Sequence, residues 1–109
     1  MILPAEEFTI YRDDRDSRGG GVCVIIRNMP SIKSHQVSLP TIFASLEIIC
    51  VDLYVSPCCG IRVICVYIPP HIIKSDDAMC NLFIAALDHL SDTDLPICSM
   101  GDLNLPLDI

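Results

Sequence analysis

Two apolar runs, Leu46 to Val55 and Ile61 to Tyr67, flank the short segment Ser56-Pro57-Cys58-Cys59-Gly60, and a helix-period stretch and a third apolar run follow them. This order constrains the fold more than any other feature. The first two runs read as strands joined by a five-residue connection into a hairpin. Pro69-Pro70 cannot donate to a ladder, so the second strand stops there. Ser75 is a natural N-cap, and Asp76 and Asp77 complement a helix start. Ala78, Met79, Leu82, Phe83, Ala86, Leu87 and Leu90 then recur at steps of three and four, which predicts an amphipathic helix over Asp76 to Leu90 packed on the sheet. The last run, Leu95 to Met100, follows a helical crossover from Tyr67. Such a crossover lets both strands deliver their carboxyl ends to one edge.

The first third reads as a separate hairpin. Phe8-Thr9-Ile10-Tyr11-Arg12 alternates as a strand, Asp13 to Gly21 is charged and glycine-rich and should turn, and Val22-Cys23-Val24-Ile25-Ile26 fits a strand buried on both faces. Gly19-Gly20-Gly21 precedes a strand rather than a helix, so it is not a phosphate-binding P-loop and supplies backbone freedom instead. Met29 to Thr41 has no period and is predicted to be a loop. No internal repeat or linker divides the 109 residues, so one domain is expected.

Composition narrows the functional classes. A hydrophobic share of 51% excludes a disordered tail. No apolar run approaches the roughly 18 residues that span a bilayer, and Met1 to Glu7 has no basic region of a secretory signal. The seven cysteines are odd in number, lie mostly inside apolar runs, and form neither Cys-x-x-Cys nor zinc-finger spacing with His35, His71 or His89. They read as small buried thiols of an intracellular, reducing compartment, cytoplasm or nucleus, with Cys58-Cys59 the place open to surface oxidation. The net charge of −7 argues against a free-standing nucleic-acid binder but is compatible with carboxylates that gather Mg²⁺.

The apolar run at the end of the chain breaks off in Gly101-Asp102-Leu103-Asn104, which presents a carboxylate and a carboxamide just past a strand. Together with Arg12-Asp13-Asp14-Arg15, Gly19-Gly20-Gly21-Val22 and Val66-Tyr67-Ile68-Pro69-Pro70, this turn resembles, in order and approximate spacing, the endonuclease/exonuclease/phosphatase superfamily. Within that superfamily it is most similar to the endonuclease domain of LINE-type (non-LTR) retrotransposon proteins, which share an R-x-D-R segment, a GGGV strand, a VY-x-PP strand and a GD-x-N turn. The resemblance covers nearly the whole chain. It implies an α/β fold, a partial two-layer β-sandwich with a flanking helix of the DNase I-like kind, truncated at both ends as the central part of a larger domain.

The same resemblance assigns roles residue by residue. Asp102 matches an aspartate that orients the attacking water and helps to hold the metal, and Asn104 matches an asparagine that bonds the nucleophile or the phosphate. Tyr67 matches a tyrosine whose hydroxyl contacts the scissile phosphate. A neutral donor beside a single carboxylate suits that chemistry, because a second carboxylate at Asn104 would repel the phosphate. An Asx-type turn and an ordinary strand-end tyrosine are the plain structural alternatives. Arg12 and Arg15 are candidate contacts to a DNA backbone, set against a solvated turn with local ion pairs. Ile68 stands where the family often has arginine, and Glu47 lies at the start of a strand rather than at the family's upstream metal-binding glutamate. That glutamate and the family's terminal Asp-His pair have no match in the sequence.

The activity implied is Mg²⁺-dependent hydrolysis of a DNA phosphodiester, with weak Mg²⁺ binding and no turnover expected from this chain by itself. DNA is the partner implied, a membrane is not, and self-association through unpaired strand edges is expected. Two other readings stand beside it: a non-catalytic, degenerate fragment or interaction module, and a phosphoesterase acting on a small-molecule or lipid phosphate.

Overall fold

The computed structural model describes residues 7–13, 21–68 and 77–102, with Asp13, Asp77 and Asp102 described by their backbone only. Within them lie β1 (Phe8–Asp13), β2 (Val22–Arg27), β3 (Lys33–Gln36), a 3-10 turn (Thr41–Phe43), β4 (Glu47–Ser56), β5 (Cys59–Tyr67), the helix α1 (Asp77–Leu90) and β6 (Ile97–Asp102). Strands β1 and β2 pair as a two-stranded antiparallel sheet, and the second sheet has the order β3-β4-β5-β6. Its first three strands are antiparallel, whereas β6 runs parallel to β5. The molecule is thus a small mixed α/β protein of two sheets and one helix. None of the helices among the described residues is long and apolar enough to cross a membrane.

The four-stranded sheet is covered differently on its two faces. Register partners Ile48↔Val66 and Cys50↔Ile64 share one face and join Phe83, Ala86 and Leu90 of α1 in a buried core that Phe43, Leu46 and Ile68 complete. The helix presents the stripe that its sequence period predicts, except that Ala78 is exposed. The opposite row, Ile49↔Cys65 and Val51↔Val63, faces the β1-β2 hairpin, which packs on β4 and β5. Tyr11 Oη and Ser34 Oγ, 2.8 Å apart, tie that hairpin to β3.

One charged cluster closes the helix side. Arg62 Nε and Nη2 donate to the two carboxylate oxygens of Asp52 at 2.8 and 2.9 Å, and Nη1 donates to the carbonyl of Leu90 at 2.9 Å. The last contact satisfies one of the carbonyls that a helix end leaves without an intrahelical partner. The paired Arg62 guanidinium holds the Asp52 carboxyl below its usual range, against the effect of burial, and the same pairing raises Arg62. Burial pushes the nearby Cys50 thiol up to about 11.

Four expectations are corrected. Lys33 to Gln36, within the predicted loop, forms an edge strand because Ser34 and Gln36 find ladder partners in Leu53 and Val51. The β4–β5 connection is a two-residue turn rather than five, since Ser56 already pairs with Cys59, with a register irregularity between Tyr54 and Ser56. Strand β2 is not buried on both faces: Cys23 and Ile25 are exposed while Val22, Val24 and Ile26 are half-buried, so the hairpin lacks a cover on its outer side among the described residues. Cys50 alone of the seven thiols is fully buried, with Cys23, Cys58 and Cys59 exposed. The predicted cap at Ser75 and Asp76 lies outside the described residues.

Candidate functional site

The parallel pairing of β5 and β6 aligns Tyr67 with Asp102 as the last register pair of the two strands. Neighbouring strands lie about 4.8 Å apart, so the two backbones meet at one carboxyl-terminal edge. The helix crossover produces this result: a parallel partner requires a long connection, and α1 lies within it. Of the sequence-predicted site residues, the structure therefore brings Tyr67 and Asp102 together. Asn104 and Arg15 lie outside the described residues. Arg12 is exposed on β1 opposite Cys23, on the hairpin rather than on the sheet that carries Tyr67 and Asp102.

Gly101 is what allows β6 to approach β5 so closely beside Asp102. Its φ is +148°, and a Cβ placed there would stand 1.8 Å from the Val66 carbonyl oxygen and 2.8 Å from the Val66 carbonyl carbon. Only a residue without a side chain fits that approach. The Gly-Asp order in the terminal turn thus has a packing reason that is independent of chemistry.

The antiparallel register extends the row. Glu47 is the partner of Tyr67 on β4, so Glu47, Tyr67 and Asp102 occupy adjacent positions across three strands. Glu47 is 6% exposed, which is unusual for a carboxylate. Two strand spacings put it roughly 10 Å from Asp102 along the backbone. Sequence reasoning set Glu47 aside. Its signal was the hairpin register: a five-residue connection places Glu47 opposite Pro69, whereas the two-residue turn together with the irregularity between Tyr54 and Ser56 places it opposite Tyr67.

A cleft of about 470 Å³ opens beside Tyr67, between the start of β2 and the ends of β5 and β6, and is walled by Val22, Cys65, Val66, Tyr67, Met100 and Gly101. Gly21 on its rim has a φ of +115°, as a glycine entering a strand permits. Burial raises the Cys65 thiol, with the neighbouring thiols of Cys23 and Cys98 adding to the effect. Among the described residues no group of three or more His, Cys, Asp and Glu side chains is arranged to hold a metal ion. Asp102 and Glu47 are the carboxylates nearest Tyr67 in the register, and a hard divalent cation there would draw on one or two carboxylates and on the phosphate of its substrate. No protein-family model, curated protein or solved structure matches the chain.

Proposed function

We propose that this chain carries part of the active edge of a Mg²⁺-dependent phosphodiesterase of the endonuclease/exonuclease/phosphatase kind, with a DNase I-like sandwich as its fold and DNA as its substrate. The observation that supports the reading is the Tyr67↔Asp102 register at the carboxyl ends of two parallel strands. A phenol is a neutral donor at pH 7 on a rigid ring, suited to a phosphate oxygen. Asp102 supplies a carboxylate that orients a water and, with the phosphate, holds Mg²⁺. Asn104, two residues beyond it, supplies a neutral amide to the same phosphate. Bound Mg²⁺ would stabilise the charge that develops on the phosphoryl oxygens.

The experiment is a titration of the ¹⁵N-labelled chain with a thymidine dinucleotide in Mg²⁺. Shifts should centre on the amides of Tyr67, Gly101 and Asp102 and should vanish in Asp102→Ala. Shifts confined to the β3 edge or the hairpin would refute the assignment.

The alternative of a non-catalytic interaction module draws on a different observation. Ile97 and Met100 of the edge strand β6 are 40% and 49% exposed, and an apolar edge strand is a template for another chain.

A further inference from the structure

The turn between β4 and β5 takes no part in the proposed site. Pro57 and Cys58 form it, Ser56 pairs with Cys59 across it, and both cysteines are exposed. Adjacent residues have Cα atoms about 3.8 Å apart, short of the roughly 4.4 to 6.8 Å that a relaxed disulfide needs. The two thiols are therefore poor partners for each other. From Leu53 to Ile61 no side chain is charged, in a chain of net charge −7, and the exposed Lys33 beside Tyr54 is opposite in sign to that net charge, so two copies can meet through this turn without opposing carboxylates within it. Val55, 52% exposed, adds apolar surface beside the thiols. The third exposed thiol, Cys23, lies opposite Arg12 on the separate β1-β2 hairpin. The other four thiols are buried or half-buried.

We propose that the β4–β5 turn is an oxidation site at which Cys58 or Cys59 of one copy forms a disulfide with the same turn of a second copy. A hydroperoxide is the oxidant. A thiolate attacks its oxygen, giving a sulfenic acid and, for hydrogen peroxide, hydroxide. The thiolate of the second copy then attacks the sulfenic sulfur, forming the S–S bond and releasing a second hydroxide. In sum, two thiols and one hydrogen peroxide give one disulfide and two waters. In a reducing compartment such a bond is transient and reports oxidation.

The test treats the 109-residue chain with hydrogen peroxide and reads intact mass and non-reducing electrophoresis. A covalent dimer that dithiothreitol reverses is expected for the parent and for Cys23→Ser. The double variant Cys58→Ser/Cys59→Ser should remain monomeric with unchanged thermal unfolding, serine being close in size at an exposed turn. Dimers that persist in the double variant, dimers lost in Cys23→Ser, or a monomer with Cys58 and Cys59 joined to each other would each overturn the proposal.

Discussion

The two faces of the four-stranded sheet are built from the same kinds of residue and end in different states. Beneath α1, Ile48, Cys50, Ile64 and Val66 meet Phe83, Ala86 and Leu90 in a closed core, and Arg62 fastens Asp52 to the helix end. Beneath the β1-β2 hairpin, Ile49 and Val51 are fully buried, but Val63 and Cys65 line a cleft with Met100, which is 49% exposed. The continuous buried cluster lies on the helix face. The Glu47↔Tyr67 pair belongs to the register row of the other face, where Glu47 is buried and Tyr67 lines the cleft. A rigid layer that carries an open, polar-edged layer is an arrangement suited to binding.

Substitutions can break or sharpen this contrast. Phe83→Ala should be the most damaging, at about 3 to 5 kcal/mol, because the ring is 2% exposed in the closed core and its loss leaves a cavity; urea unfolding measures it. Arg62→Ala should cost about 3 kcal/mol by leaving the buried Asp52 carboxylate without its bidentate partner. The same pair gives a pH signature. Because Asp52 titrates below its unfolded value, its contribution is complete above the unfolded carboxyl pKa and is lost as pH falls through the lower folded value. The stability gap between parent and Arg62→Ala should therefore narrow when urea midpoints are compared at pH 6 and in that acid window. An unchanged gap would remove Asp52 and Arg62 from the account of the closed face.

Smaller effects are expected on the open side. Gly101→Ala should cost about 2 to 3 kcal/mol, through its φ and its collision with the Val66 carbonyl. Hydrogen exchange should show the loss at the β5–β6 pair and leave α1 protected. Met100→Ala, at a side chain 49% exposed, should cost less than about 1 kcal/mol. A Met100→Ala cost that matched Phe83→Ala would mean that the hairpin face is as closed as the helix face.

Much of the fold was legible in the sequence for physical reasons. The three-and-four spacing from Met79 to Leu90 could serve only one buried face, and the apolar runs before and after it required a crossover that ends in parallel strands. What escaped was register. Nothing in Ser56-Pro57-Cys58-Cys59-Gly60 shows that Cys59 already belongs to the ladder or that the register slips between Tyr54 and Ser56, and the two together decide that Glu47 meets Tyr67. Strand β3 escaped because Lys33-Ser34-His35-Gln36 is polar at an edge, where pairing with β4 rather than side-chain burial makes the strand. The Asp52–Arg62 pair was equally hidden, since two charges ten residues apart become neighbours only through the same hairpin register. Of the candidate site, the meeting of Tyr67 with Asp102 could be reasoned from the crossover, whereas the buried Glu47 beside them could not.

The central claim is that a divalent cation and a phosphate meet at the Tyr67 and Asp102 edge, and Mn²⁺ titration of the ¹⁵N-labelled chain tests it most directly. Paramagnetic broadening falls off steeply with distance, so it maps the ion without requiring turnover. Broadening should begin at the amides of Tyr67, Gly101 and Asp102, with a weak affinity of about millimolar order, as expected when one or two carboxylates act without the substrate phosphate. It should disappear in Asp102→Asn and persist in Tyr67→Phe. Broadening that begins elsewhere, or that survives Asp102→Asn unchanged, would contradict the account.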